Sequence, residues 1–393
     1  MSDVILTLNA GSSSLKFAVF STDATVKTPV ISGKIAGIGT APVFNARDAK
    51  GNAVAKGALA QLDAGCDHEH LIQLLLPWLG EHQDNHQVVA VGHRVVHGGM
   101  HFAGPVRVSD AVLEKLDTLI PLAPLHQPHN LAAIRAVAKR QPNLLQIACF
   151  DTSFHQGRGR LAKLFALPRT LSEEGIIRYG FHGLSYDYIA SQLPAHLGER
   201  ASGRVIVAHL GNGASMCAMK DQKSVATSMG FTALDGLMMG RRCGTLDPGV
   251  VLYLMQAKGM SAAAVENILY RQSGLFGVSG ISNDMHVLQD SDAASAREAI
   301  DLYCERAASV LAGLVPSLGG LDAVVFTAGI GENSALIRTL ICDRLTWLGV
   351  ALDVAANESN ATMISSEHAQ VKVLVVPTNE EAVVAKSCRT LLQ

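Results

Sequence analysis

Several short strings in this chain place charged, hydroxyl or amide side chains beside glycines at the ends of apolar runs. Asn9-Ala10-Gly11-Ser12-Ser13-Ser14-Leu15-Lys16 offers a glycine turn, three hydroxyls, a carboxamide and one cation. Hydroxyls and backbone amides hold phosphate oxygens, and a lysine offsets their charge. A serine-rich hairpin turn with a surface lysine has the same composition. The string is not a Walker A loop, because the Gly-Lys-Ser/Thr ending is missing and a strand pattern follows. His93-Arg94-Val95-Val96-His97-Gly98-Gly99 follows the apolar run Val88 to Val91. An arginine at a strand end beside a glycine pair suits an anion, or an ion pair with a carboxylate.

Ile147-Ala148-Cys149-Phe150-Asp151-Thr152-Ser153-Phe154-His155 sets Asp151 just after an apolar strand, where ligands sit in open α/β sheets. Asp151 suits a metal-bound water, the orientation of a substrate, or a base. Arg178-Tyr179-Gly180-Phe181-His182-Gly183 places a histidine between an aromatic and a glycine, a setting for a structural or a catalytic imidazole. Met239-Gly240-Arg241-Arg242-Cys243-Gly244 pairs two arginines between glycines in a chain with only 17% charged residues. Pro377-Thr378-Asn379-Glu380-Glu381 follows the last strand pattern, Val371 to Val376. A carboxylate there reaches a metal directly or through water; Thr378 and Glu381 also have capping-box spacing for a final helix. No His/Cys set has zinc spacing and no G-x-S-x-G string occurs. Magnesium is the natural ion for phosphate, carboxylate and hydroxyl oxygens.

These residues need a scaffold, and the hydrophobic pattern supplies one. Val4 to Leu8 and Leu15 to Phe20 flank the first glycine turn as a β-hairpin. About two hundred residues later Val205 to Leu210, Gly211-Asn212-Gly213-Ala214-Ser215 and Met216 to Met219 repeat the plan. Two such units favour two related domains facing one cleft. Ala323 to Thr327 reads as a strand, Ala328 to Asn333 as a turn, and Ser334 onward as an amphipathic helix, a geometry that sets backbone N–H groups against a phosphate. Further helices start at Ser109 and at Asp247-Pro248, the latter ended by Gly259; others run from about Asp292 towards Ser317 and from Glu380 to Leu392. The segment from Ser32 to about Gly65 reads as a loop and edge-strand excursion. Strands alternating with helices indicate mixed α/β domains.

Composition narrows the function classes. The 393 residues carry a formal charge of −2, which excludes a strongly basic nucleic-acid binder and an acidic tail protein. Hydrophobic residues make up 48%, enough for a large core and, at this length, for about two domains. Seven scattered cysteines (Cys66, Cys149, Cys217, Cys243, Cys304, Cys342, Cys388) read as reduced thiols of a cytoplasmic protein. No charged signal-peptide start and no membrane-length apolar run is present, so neither a membrane nor a nucleic acid is expected as a partner.

Taken in order, these strings resemble the acetate kinase family, which includes propionate and butyrate kinases. The resemblance covers nearly the whole chain and extends to His209-Leu210-Gly211-Asn212-Gly213, Thr227-Ser228-Met229-Gly230-Phe231-Thr232 and Phe326-Thr327-Ala328-Gly329-Ile330-Gly331-Glu332-Asn333. It implies an α/β fold of two actin-like (ribonuclease H-like) ATPase domains with mixed sheets around a central cleft. The expected division is 1–150, with helix 381–393 packed back on it, and 151–380, with the nucleotide loops and a homodimer interface. It implies reversible transfer of a phosphoryl group from ATP to acetate, giving acetyl phosphate and ADP, with Mg²⁺ or alternatively Mn²⁺. A short-chain fatty acid other than acetate, or an actin-like ATPase switch without an acceptor, are the competing readings.

The resemblance assigns roles as well. Asn9 and Glu380 serve the metal. Ser12, Ser14 and Lys16 line the phosphate side. Arg94 and Arg242 hold the substrate carboxylate and the moving phosphoryl group, with Arg242, Asp151 and His182 as the catalytic set. Val96, Leu125 and Ala233 form the pocket for the substrate's methyl group. His209, Leu210, Gly211, Asn212 and Gly213, then Asp284, Met285 and His286, then Gly329, Ile330, Gly331, Glu332 and Asn333 match nucleotide segments. The chain departs from the family at Ala226 (usually Asp), Ala233 (usually Pro), Arg241 (usually Thr), Tyr186 (often His) and His286 (usually Arg). Loss of the proline is expected to widen the acyl pocket, and one methylene is worth only about 1–3 kcal/mol of discrimination.

Overall fold

The computed structural model describes residues 2–393 except 12, 64 and 83–85. The chain divides into two compact units, one of residues 1–154 with 379–393 and one of residues 155–378.

Unit 1 is built on a seven-stranded sheet. Its strands are β1 (Ser2–Gly11), β2 (Ser14–Ser21), β3 (Ile31–Ala36), β4 (Val43–Asp48), β5 (His86–Val95), β6 (Val106–Arg107) and β7 (Leu145–Phe150), in the order β4-β3-β2-β1-β5-β7-β6. β1, β5 and β7 run parallel, while β2, β3, β4 and β6 are antiparallel to their neighbours. β1 is central, so Val4 to Leu8 are buried on both faces. One face, with Leu6, Leu8, Phe17 and Val19, joins a core with Leu71, Leu75 and Trp78 of helix α1 (His68–His82). Helices α2 (Asp110–Asp117) and α3 (Gln127–Arg140) lie beyond it in sequence, and α3 packs on β1 and β5. Ser109 caps α2 through the Val112 N–H.

The segment expected to be a loop and edge-strand excursion adds two strands at one side of this sheet, with β4 at the edge and β3 paired on both sides. Ile31, Ile35, Phe44 and Ala46 are buried at alternate positions, which is the strand period. The Phe44 ring sits edge-on to Trp78 at 4.9 Å and anchors the addition.

Unit 2 begins with short helices α4 (Arg160–Lys163) and α5 (Arg169–Glu173) and the longer α6 (Gly183–Leu197). Three strands follow, β8 (Val205–Leu210), β9 (Ala214–Lys220) and β10 (Lys223–Thr227), then helices α7 (Pro248–Gln256), α8 (Ala262–Arg271), α9 (Gly274–Ser279), α10 (Met285–Gln289) and α11 (Ala294–Leu318). β11 (Ala323–Thr327), α12 (Ala328–Asn333), α13 (Ala335–Asp343), α14 (Val354–Glu358) and β12 (Lys372–Val375) complete it. The sheet order is β10-β9-β8-β11-β12, with β8, β11 and β12 parallel and β9 and β10 antiparallel. This order and these directions match β3-β2-β1-β5-β7 of unit 1. The repeated hairpin in the sequence thus marks a repeated five-stranded ribonuclease H-like sheet.

The turn expected at Ala328 to Asn333 is helical. Ala328 takes a left-handed φ of 66°, and its N–H donates to the Glu332 carboxylate at 2.7 Å, closing one helical turn. Ser334 then caps α13.

The last helix, α15 (Glu380–Leu392), belongs to unit 1. Its cap is Asn379, whose side chain accepts from the Ala382 N–H, and not the expected Thr378. Ala385 packs with Ala18 and Phe20 on the face of the sheet opposite α1. α15 crosses β5 so closely that a Cβ on Gly92 would lie 2.4 Å from Val384 Cγ1 and 2.6 Å from Cys388 Sγ. None of the seven cysteines is in a disulfide. Among the described residues no helix is long and apolar enough to cross a membrane.

Candidate active site

In unit 1 the parallel strands end side by side and bring four of the expected site residues together. Arg94 of β5 pairs in register with Cys149 of β7, two residues before Asp151. Its guanidinium donates to Asp151 at 2.6 and 3.0 Å and, through Nη1, to Asn9 Oδ1 at 3.1 Å. Glu380, at the start of α15, lies 3.9 Å from Nε. Burial opposes the charge on Arg94, but Asp151 and then Glu380 outweigh it and hold the guanidinium ionised. The Asp151 side chain is 2% exposed and that of Arg94 20%. Removing either partner from such a pair costs about 3–5 kcal/mol.

The strand ends are fixed by carboxamides from α3. Buried Asn130 accepts from the Val96 N–H and donates to the Ala10 carbonyl at 2.6 Å, tying β1 to β5. Gln127 brackets both backbone groups of His97, and Thr152 accepts from the Gly98 N–H. His97 itself accepts from the Gly99 N–H through Nδ1. Burial lowers both His93 and His97 to about 4, so both are neutral core groups that shape the loop around Arg94. Val96 is buried and Leu125 half-buried before α3. Ser14 closes the β1–β2 hairpin, Asn9 pairs in register with exposed Lys16, and Ser12 lies outside the described residues.

In unit 2 the corresponding hairpin turn carries glycines. A Cβ on Gly213 would lie 2.9 Å from Arg242 Nη2 and 3.5 Å from His182 Nε2. The cationic arm and the imidazole therefore converge on a point where only glycine leaves room. Arg242 is braced by donation from Nη1 to the Ala233 carbonyl at 2.6 Å. His182 takes a left-handed φ of 58° just before α6, an uncommon conformation for a side chain of this size. Its ring stacks on His209 at 4.2 Å, and its Nδ1 lies 2.8 Å from Ser215 Oγ. His209 Nδ1 meets Ser185 Oγ at 2.8 Å, and Leu210 is fully buried behind it.

Beside this turn lies a cavity of about 330 Å³. Gly211, Asn212, Asp284, Met285, His286, Gly329, Ile330 and Asn333 line it, joined by Asn283, Gln289 and Ser334, which the sequence did not single out. His209, Leu210, Gly213, Gly331 and Glu332 do not. Glu332 turns inward and accepts from the backbone of Ala328 and Thr378, so its carboxylate braces the loop. Gly331 and Glu332 are held in turn by Arg338, a fully buried guanidinium that donates to both their carbonyls and to Asn357 and Asn360. His286 is exposed and pairs with Asp290 at 2.9 Å. Arg241 lies over the Phe276 ring, and Arg178 pairs with Asp235 at 3.0 Å.

Among the described residues no three His, Cys, Asp or Glu side chains are grouped to hold a metal. Asn9, Asp151 and Glu380 are hard oxygen donors of the kind that suits magnesium, which commonly binds through one or two carboxylates plus substrate phosphates.

Residues 4–386 match the model of the acetokinase family. An acetate kinase of Rhodopseudomonas palustris (strain TIE-1) is 51% identical over 98% of both chains. The solved structure of a propionate kinase from Francisella tularensis superposes with a TM-score of 0.91 at 37% identity, covering 98% of this chain and 99% of that one. The Porphyromonas gingivalis acetate kinase structure gives 0.88 at 34% identity over the whole of both chains. With that likeness running from the first strand into the last helix, the chain belongs to the acetokinase family.

Proposed function

We propose that the protein is an ATP:acetate phosphotransferase, forming acetyl phosphate and ADP reversibly. The observation that carries this reading is the convergence of Arg242 and His182 on Gly213, beside a cavity built from glycine turns. A carboxylic acid of ordinary strength titrates near pH 4, so acetate is already ionised at neutral pH and needs no general base. The obstacle is bringing one anion up to a polyanion, and fixed cations and donors remove it. A carboxylate oxygen attacks the γ-phosphorus in line; the bond to the β–γ bridging oxygen breaks and ADP leaves with the electron pair. No proton is transferred.

In this reading Arg94 takes the acetate carboxylate, while Arg242 and the His182 Nε2 take the oxygens of the moving phosphoryl group. Asp151 fixes Arg94. Val96, Leu125 and Ala233 take the methyl group. Ser14, Lys16 and the turn at 209–213 take the phosphates, and the segments at 284–286 and 329–333 take the nucleoside. Asn9 and Glu380 would hold a magnesium ion, with manganese as a substitute; when bound it supplies further positive charge to the phosphate oxygens.

Two further assignments have support of their own. Helix α7 has no buried residue although its sequence is PGVVLYLMQ, and Leu252 and Tyr253 are more than half exposed. Such a face suits a second copy of the chain, as the homodimer reading requires. Seven cysteines outside any disulfide support a reducing compartment, the cytoplasm.

A second reading, a propionate kinase, is favoured by Ala233 in place of the family's proline. Both readings are tested by ADP release from Mg-ATP with acetate, propionate, butyrate or no acid, with hydroxylamine trapping the acyl phosphate. Acetate-dependent hydroxamate supports the first, and a propionate rate above the acetate rate supports the second. ADP release indifferent to every acid, without hydroxamate, sinks both.

A further inference from the structure

One departure from the family sits two bonds from the proposed site. Tyr186, in the first turn of α6, is fully buried. Its hydroxyl lies 2.5 Å from Ser215 Oγ, and that same oxygen lies 2.8 Å from His182 Nδ1. The ring is wedged edge-on against His155 at 5.6 Å and His209 at 6.4 Å, so the hydroxyl has little freedom to move. Burial raises the phenol well above its ordinary range, and a buried hydroxyl proton needs an acceptor.

We propose that Tyr186 is a positioning residue that sets the tautomer of His182 through Ser215. The phenol donates to Ser215 Oγ, and the serine spends its single proton on Nδ1. The imidazole is then neutral with its proton on Nε2, the atom beside Gly213 and Arg242. An N–H there donates to an anionic phosphoryl oxygen. The reversed chain, with Nδ1–H donating to the serine and the serine to the phenol oxygen, would aim a lone pair at the same oxygen and repel it. Which nitrogen carries the proton is set by the partner of the other.

The inference rests on the reading of His182 given above, and the tests separate the two. Tyr186→Phe removes one oxygen and keeps the ring packing. It is expected to lower kcat about tenfold with both KM values within about twofold. In ¹⁵N spectra the His182 ring, assigned by its loss in His182→Asn, should shift from the Nε2–H pattern towards a mixture. Ser215→Ala should cost at least as much, and the Tyr186→Phe/Ser215→Ala double variant no more than Ser215→Ala alone, because both act along one path. Should Tyr186→Phe fail to fold, Ser215→Ala carries the spectral test. Parental kcat and unchanged ¹⁵N shifts in Tyr186→Phe, or losses that multiply in the double variant, would overturn the relay. Full turnover in His182→Asn would instead remove the role of His182, and the relay with it.

Discussion

In unit 1 the parallel strands β1, β5 and β7 lead to Asn9, Arg94 and Asp151. In unit 2 the matching β8 and β11 lead to Gly211–Gly213 and to Ala328 at the head of α12. One scaffold thus holds two opposite kinds of strand end. The first is a dense charge cluster, in which a guanidinium is fixed by two carboxylates and a carboxamide. The second is a set of turns lined by backbone and carboxamides, opening on a cavity. Clustered charges suit small ions, whereas glycine turns suit a long phosphate chain with a base at its end. A repeated sheet fixes where strand ends lie, and side chains alone decide what each end receives.

The largest expected effect separates the two arginines. Arg242→Lys should lower turnover by about 10²–10³-fold with the smaller change in Tm, because the Ala233 carbonyl that Nη1 holds lies in a half-buried loop. Arg94→Lys should lower turnover and also Tm, since it loosens the hold on a buried Asp151. Equal Tm losses in both variants would break the contrast. Gly213→Ala comes next. Its methyl group would press on Arg242 Nη2 and His182 Nε2, and kcat should fall about tenfold or more, as expected of misplaced catalytic groups. A parental kcat would mean that the two groups do not work at that point.

A third pair of variants probes the supports. Asn130→Ala strands the Val96 N–H and the Ala10 carbonyl, and Arg338→Met strands the carbonyls of Gly331 and Glu332. Each should cost about 1–3 kcal/mol or more in denaturant titrations. The first should raise KM chiefly for acetate and the second chiefly for ATP; the same pattern from both would erase the division of labour.

Acid stability is a gentler test. Burial lowers His93 and His97 to about 4 and His155 to about 3, against an unfolded value near 6.5. Their contribution is fully present above pH 6.5 and is lost as pH falls towards 4 and 3. The slope of unfolding free energy against pH across that interval should therefore be positive and should flatten in His155→Gln. The smallest expected effect is on substrate choice. Ala233→Pro should raise the acetate-to-propionate ratio of kcat/KM a fewfold and leave the nucleotide KM alone.

Much of this was legible in the residue string. The hairpin with Asn9 and the second with Gly211–Gly213 announce themselves by apolar runs around glycine turns. Arg94, Asp151 and Glu380 stand out as charges at the edges of buried strands. What stayed hidden depends on pairing across long separations. Nothing local marks Asn130 as the link between Ala10 and Val96, or Arg338 as the clamp on Gly331 and Glu332. Gln289 and Ser334 line the cavity because α10 and the start of α13 are brought together, which no periodicity reports. Ala328 to Asn333 reads as a turn because it is glycine-rich, whereas the Glu332 carboxylate, by accepting from the Ala328 N–H, closes it into one helical turn. The resemblance supplied order and roles; the partners of each side chain came from the fold.

The position of α15 has a consequence for how the protein is made. One face of the first sheet, with Ala18 and Phe20, is covered by a helix translated long after the strands it packs on. Between the two pieces of unit 1 the ribosome must translate residues 155–378, which at about 5–20 residues per second takes roughly eleven to forty-five seconds. Throughout that time the nascent chain carries an apolar sheet face with no helix to cover it. Chains that stop before α15 should therefore yield aggregates rather than a folded first unit.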